Sequence, residues 1–322
     1  MPIGVRSPST EVPLMPRLRS SAALALLAVG ALALSVTPAG AHAADPAHRA
    51  TPAHHVVAYY QTQYDNGSYV SPLPLRGAAT DVDVAAFHLN AGSTITLNDD
   101  PPSAAKYNQM WQDLATLQQS GLKIEAMLGG AAQGSYADLH NNFATYYPQL
   151  RDTLRAHHFN GVDLDIEETF SLADTEHLIK QLHADFGSGF IVNLAPVASD
   201  LSGGSSFSGG FDYSRLDRDM GSRISWYNAQ FYCGWGDLSS TTDYDSVVAN
   251  GFAPSRVVAG AVTNSANCDG YVDPATLGST LTALVGEYPG FGGVAGWEYF
   301  NAVPVNGSGP ASWYAAAQNA MN

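Results

Sequence analysis

The chain has 322 residues, a formal charge of −15 at pH 7 and two cysteines. So acidic a surface disfavours nucleic acid and anionic membranes as partners and is compatible with a neutral polymer such as a glycan, identifying nothing further. Two cysteines with no histidine-rich cluster beside them do not make a zinc site, so neither a metal nor a cofactor is expected.

In chain order, Arg17 and Arg19 precede an apolar run over residues 22–36, and Ala41-His42-Ala43 follows with the small-x-small pattern of a signal-peptidase site. The run is too short to span a bilayer comfortably. Residues 1–43 are therefore expected to be a secretory signal peptide, 44–54 a mobile polar segment, and 55–322 a single catalytic domain. About 280 residues remain after the leader, which suits one (β/α)8 barrel of ~250 residues. In an oxidising compartment Cys233 and Cys268 are expected to form a disulfide, two separate buried thiols being the other reading. The adjacent pairs His54-His55 and His157-His158 read as surface residues.

Apolar strand-like runs fall at 56–60, 83–89, 123–128, 159–168, 190–195, 224–232, 257–262 and 293–298. Helical spacing falls between most of them, at 104–120, 142–156, 174–186, 244–250, 275–288 and 312–321. Residues 65–80 hold Gly, Ser and Pro with no helical period, so the first crossover is expected to be irregular, and 203–210 reads as a Gly/Ser loop. Eight strands alternating with helices describe a closed α/β barrel more than an open doubly wound sheet. No Gly-x-Gly-x-x-Gly opens a helix, which argues against a dinucleotide fold.

The fourth run carries the chemistry. In Asn160-Gly161-Val162-Asp163-Leu164-Asp165-Ile166-Glu167, the apolar side chains point one way and three acids the other. Successive carboxyls lie roughly 6.5–7 Å apart on such a face, and burying them costs several kcal/mol per ion unless protons or hydrogen bonds are shared. A solvated strand face is the bland alternative. The amphipathic segment 174–186 that follows argues for a βα unit, where both faces are covered. On the sixth run Asn228, Gln230 and Tyr232 alternate onto one face, as ligand-binding groups or as an internal hydrogen-bond network. On the eighth, Trp297 stands at the barrel mouth, as a sugar platform or a core residue.

The acidic stretch resembles the Asp-Gly-x-Asp-x-Asp-x-Glu signature of family 18 glycoside hydrolases, departing only at Asn160, which lies at the strand entrance. The strand end Phe87-His88-Leu89-Asn90, the segments Leu128-Gly129-Gly130-Ala131-Ala132, Ala195-Pro196-Val197-Ala198 and 226–232, and Gly296-Trp297-Glu298 extend the likeness over nearly the whole mature chain. Taken together they are most similar to compact single-domain endo-β-N-acetylglucosaminidases of fungal type, with compact chitinases as relatives. About 30 residues separate the last two strands, too few for the extra α/β insertion of many deep-groove chitinases.

The resemblance implies a substrate-assisted retaining mechanism, in which the sugar's own 2-acetamido oxygen is the nucleophile. It gives Glu167 the acid/base role, Asp165 the acetamide N–H and the oxazolinium charge, and Asp163 a proton shared with Asp165. Tyr232 would hold the acetamide carbonyl. Asn228, Gln230, Trp297, Gly129 and Gly130 would bind substrate, with Tyr59 or Tyr60 reaching in from the first strand. The expected activity is cleavage of the chitobiose core of N-glycans by a secreted monomer. Hydrolysis of chitin is the alternative within the same chemistry. A lectin on an inactive barrel is the reading from another class, and Glu167, the acid such lectins usually lose, argues against it.

Overall fold

The computed structural model describes residues 54–92, 94–307 and 309–322; the leader and the segment 44–53 lie outside the described residues. Eight parallel strands form the barrel: β1 (His55–Tyr60), β2 (Asp81–Asn90), β3 (Lys123–Gly129), β4 (Gly161–Asp165), β5 (Ile191–Leu194), β6 (Tyr227–Gln230), β7 (Val257–Val262) and β8 (Gly293–Trp297). Each pairs in parallel with the next, and β1 pairs with both β8 and β2, which closes the ring. The expected (β/α)8 fold is the one found.

Among the described residues, seven helices of eight residues or more follow the strands: α1 (Asn108–Ser120), α2 (Ser135–Ala156), α3 (Leu172–Phe186), α4 (Tyr213–Met220), α5 (Thr242–Ala249), α6 (Pro274–Glu287) and α7 (Ala311–Ala320). After β1 the chain makes only a two-residue ladder and the 3-10 turn Leu73–Leu75, so the first crossover is irregular as expected. Ser171 caps α3 and Asp273 caps α6 through side-chain oxygens that accept backbone N–H groups.

The core has two shells. Val56, Ala58, Tyr60, Leu128, Val162, Leu164 and Val192 face outward against the helices. Val57, Tyr59, Ala85, Met127, Trp226, Val258 and Ala295 fill the barrel interior. Fully burying one Val, Leu or Ile contributes about 1.5–3 kcal/mol, and nearly every barrel-strand residue is buried. No described helix is long and apolar enough to cross a membrane.

Several local expectations are corrected. Helix α2 starts at Ser135 rather than at 142, and residue Asn142 is a kink inside it (φ −154°, ψ 71°). A short strand, Thr94–Leu97, pairs antiparallel with β2, and the region after β5 contains α4 as well as the Gly/Ser loop. His55 is not a free surface residue: it stacks on Trp226 (3.9 Å between centroids) and bonds Asp81 at 2.9 Å. His157 stacks on Trp111 at 3.8 Å. Rings that shed water on an apolar partner stay half-buried even beside exposed neighbours.

Cys233 and Cys268 are joined, with their Cα atoms 5.5 Å apart and 35 positions separating them. They tie the segment after β6 to the segment after β7, where Cys233 N–H also donates to Asp269 O at 2.9 Å. Closing a loop of that length should contribute about 3–4 kcal/mol. Replacing both cysteines by Ala should lower the urea unfolding midpoint accordingly; an unchanged midpoint would show that the link leaves the fold's stability untouched.

Candidate active site

The strand ends at the barrel's C-terminal rim enclose a cavity of about 430 Å³, lined among others by Asp165, Glu167, Gln230, Tyr232 and Trp297. The alternation read from β4 is the one observed: Val162, Leu164 and Ile166 pack outward, while Asp163 and Asp165 are buried inside the barrel. The strand itself stops at Asp165, and Glu167 lies just beyond it, half-buried on the cavity wall.

Asp163 is held from two sides. Tyr59 O–H donates to its Oδ2 at 2.7 Å, and Asn228 Nδ2 donates to its Oδ1 at 3.3 Å. Burial pushes its carboxyl up to about 7, and the two donors pull it back. Asp165 has one side-chain donor, Gln230 Nε2 at 3.2 Å. Burial, then the charges of Glu167 and Asp163, hold Asp165 well above the carboxylate range. The two donors on Asp163 favour its ionised form, so a proton shared by the pair is better placed on Asp165. Burial also raises Glu167, while Gln230 acts in the opposite sense.

Gln230 is fixed by a second bond, to Ala195 O at 2.8 Å. Trp226 Nε1 donates to Asn228 Oδ1 at 2.9 Å, which fixes which end of that amide faces the acids. Tyr232 is 7% exposed, and its hydroxyl is raised by burial and by Asp165, Glu167 and Asp163, in that order. Trp297 meets Tyr59 edge-on at 5.3 Å and shows part of its indole to the cavity.

Gly129 and Gly130 line the cavity at the end of β3, both at positive φ (95° and 89°). A Cβ on Gly129 would stand 2.4 Å from Asp165 O, the atom that accepts Gly130 N–H at 2.9 Å. These glycines let the β3 end lie directly against the acid strand. Asn160 Oδ1 accepts from Ile124 N at 2.9 Å, a task an aspartate oxygen would also do, which accounts for the tolerance of Asn at the motif's first position.

One candidate is corrected. Tyr60 does not reach the site: it lies on the outward face of β1, donates to Val70 O at 2.6 Å and meets the Tyr299 ring. Strand alternation puts Tyr59 and Tyr60 on opposite faces, and only Tyr59 is inside.

Other contributors were missed. Glu168 Oε1 accepts Gly134 N (2.8 Å) and Tyr136 N (2.9 Å), so the last acid of the run caps α2 rather than facing the cavity. Glu298 accepts from Thr62 N and Thr62 Oγ1, both at 2.9 Å, and so anchors the segment after β1. Asp83 and Glu125 are fully buried inside the barrel below the acid row. Their signal was an acid inside an apolar strand: Asp81 and Asp83 alternate in β2, as the acids of β4 do, and Glu125 stands alone in β3.

The cleft has two arms. On one side Phe207, 40% exposed, lies 4.7 Å from the Trp235 ring, and both line the cavity. On the other a second hollow of about 390 Å³ adjoins through Gln61, His88 and Ala132 and is lined by Asn90, Thr96, Asn98, Asp99 and Gln133.

No family model matches the chain. Among curated proteins, chitinase D of Niallia circulans is 26% identical over 167 residues, a stretch that makes up 45% of this chain and 31% of that protein, so the match spans under a third of that relative's length. Among solved structures, chitinase ChiC from Aspergillus fumigatus is 46% identical with a TM-score of 0.76, over 84% of this chain and 100% of the other. A fungal endo-β-N-acetylglucosaminidase from glycosyl hydrolase family 18 is 40% identical with a TM-score of 0.79, over 83% of this chain and 97% of the other. A likeness of that identity across a whole family 18 catalytic chain, joined to the acid row at a closed barrel's C-terminal rim, shows that this chain belongs to glycosyl hydrolase family 18.

Proposed function

We propose that the protein is a secreted endo-β-N-acetylglucosaminidase that cuts between the two core N-acetylglucosamines of N-glycans, with retention and by substrate assistance. The observation that carries this choice of substrate is the second hollow. Apart from Leu89 and Ala132 its lining is amide, hydroxyl, imidazole and carboxylate, with no Trp, Tyr or Phe. Such a surface suits the hydroxyl-rich mannose branches of an N-glycan better than a linear chain of N-acetylated sugars, which packs on aromatic rings.

In the reaction, the 2-acetamido oxygen attacks its own anomeric carbon, an intramolecular step that needs little entropy. This family is one of the exceptions to the two-carboxylate retaining scheme. Glu167 protonates the departing oxygen and later deprotonates water. Asp165 aligns the acetamide N–H; as the oxazolinium forms, its proton passes to Asp163, leaving a carboxylate beside the cation. Tyr232 donates to the acetamide carbonyl, Gln230 and Asn228 keep the acids in place, and Trp297 forms the floor.

The Phe207–Trp235 pair favours the second reading, a chitinase, because two adjacent rings suit a linear chain of pyranoses. Offering the purified protein a high-mannose glycoprotein and a chitin oligomer decides between them. Release of glycan ending in one N-acetylglucosamine is the expected result; shortening of the chitin oligomer with an intact glycoprotein would overturn it.

A further inference from the structure

Below the catalytic row, two acids belong to none of the steps above. Asp83 on β2 and Glu125 on β3 are both fully buried and occupy facing register positions. Their carboxyls lie within hydrogen-bonding reach of each other. Yet Asp83 Oδ1 and both Glu125 oxygens have no donor among the described residues. Two ionised carboxyls so placed would repel in a low-dielectric interior, at several kcal/mol for each buried ion. A single proton between them supplies the missing donor and removes one charge.

Among the described residues, the buried surroundings offer no Lys or Arg to balance a second charge. Tyr59 faces Asp83 from β1, Asp81 lies on its own strand, and Asp163 and Asp165 face it from β4. His55 is bonded to Asp81. Beyond the row stand Glu167 and the hydroxyls of Tyr232, Tyr136 and Tyr213.

The link to the row is Asn228. Its Nδ2 donates to Asp83 Oδ2 at 3.2 Å and to Asp163 Oδ1 at 3.3 Å. Its carbonyl end is held by Trp226, so the amide cannot turn away.

We propose that Asp83 and Glu125 share one proton that rests on Glu125, leaving Asp83 ionised, and that this fixed charge positions the protons of the catalytic row above it. Asp83 is thus a positioning residue, with no contact to substrate. Its negative charge favours the protonated forms of Asp165 and Glu167 and so sets the upper pH limit of turnover. The kinetic part rests on the glycosidase reading; the protonation part does not.

Two measurements test it. The infrared difference spectrum, wild type minus Glu125→Gln, should contain a protonated-carboxyl C=O band that persists through neutral pH, the Asp165 band that both proteins share cancelling in the subtraction. In pH profiles of kcat and KM, Asp83→Asn should move the alkaline limb of kcat to lower pH by on the order of one unit, close to a tenfold loss at a fixed pH above it, with KM unchanged. Glu125→Gln should keep the wild-type limb, because an amide can donate to Asp83 as the protonated acid does. A difference spectrum without that band, or an unmoved limb in Asp83→Asn, would overturn the proposal. If Asp83→Asn does not fold, the infrared comparison decides alone. Inactivity of the wild type on every β-N-acetylglucosaminide would sink the functional reading and leave the infrared result standing.

Discussion

Glu167→Gln should reduce hydrolysis to background while leaving the fold and glycan binding intact. The amide has the shape of the acid but cannot give a proton to the leaving oxygen or take one from water, and a single acid/base contact is worth typically 10²–10⁴-fold. In the proposed mechanism the same group serves both halves of the reaction, so the loss should lie at the upper end of that range. The substitution is mild structurally: Glu167 is half-buried on the cavity wall, and its backbone carbonyl stays bonded to Gln133 Nε2 at 3.0 Å. Burial raises the Glu167 carboxyl above its ordinary value, so the donating form persists to higher pH, and wild-type turnover should fall as pH rises through that value. Turnover and calorimetric binding of a glycan by the purified variant check this. Retention of more than a few per cent of wild-type turnover would remove Glu167 from the acid role.

Asp165→Asn should separate two steps that Glu167→Gln does not. Asp165 sits between Asp163 and Glu167, and in the proposed mechanism it passes a proton to Asp163, whose Oδ1 and Oδ2 already accept from Asn228 and Tyr59. An asparagine can still bond the acetamide but cannot become an anion beside the oxazolinium. Loss of such electrostatic support costs ~10²–10³-fold in rate. A sugar oxazoline supplied ready-made already contains the ring that Asp165 helps to form. The variant should therefore lose hydrolysis of the intact glycan yet still attach an oxazoline donor to an N-acetylglucosamine acceptor, with Glu167 as the base. Mass spectrometry of products from each donor is the measurement. Equal loss on both would refute the division of roles, and undiminished hydrolysis would take Asp165 out of the mechanism.

Much of the site was legible in the chain because its signal is local. A strand's two-residue repeat fixes which side chains share a face, so Val162, Leu164 and Ile166 against Asp163, Asp165 and Glu167 could be read without coordinates. The same repeat placed Asn228 and Gln230 together, and both meet the acid row. Alternating apolar strands and helices were enough to specify a closed barrel.

What the repeat could not supply is which face points inward when both are apolar. Strand β1 is buried on both sides, so Tyr59 and Tyr60 looked equivalent, and only the closed barrel decided that Tyr59 meets Asp163 while Tyr60 packs outward. Nor does local spacing say which residues of different strands come level. The pairing of Asp83 with Glu125, the amide of Asn228 bridging two acids 80 positions apart, and the diversion of Glu168 to the start of α2 all depend on the register between strands and on the helix that follows. Register is set by the packing of the whole ring, since each strand's position is fixed only when both neighbours are in place. The sequence by itself determined the barrel, the acid row and its order; the tertiary structure decided which buried groups stand beside that row.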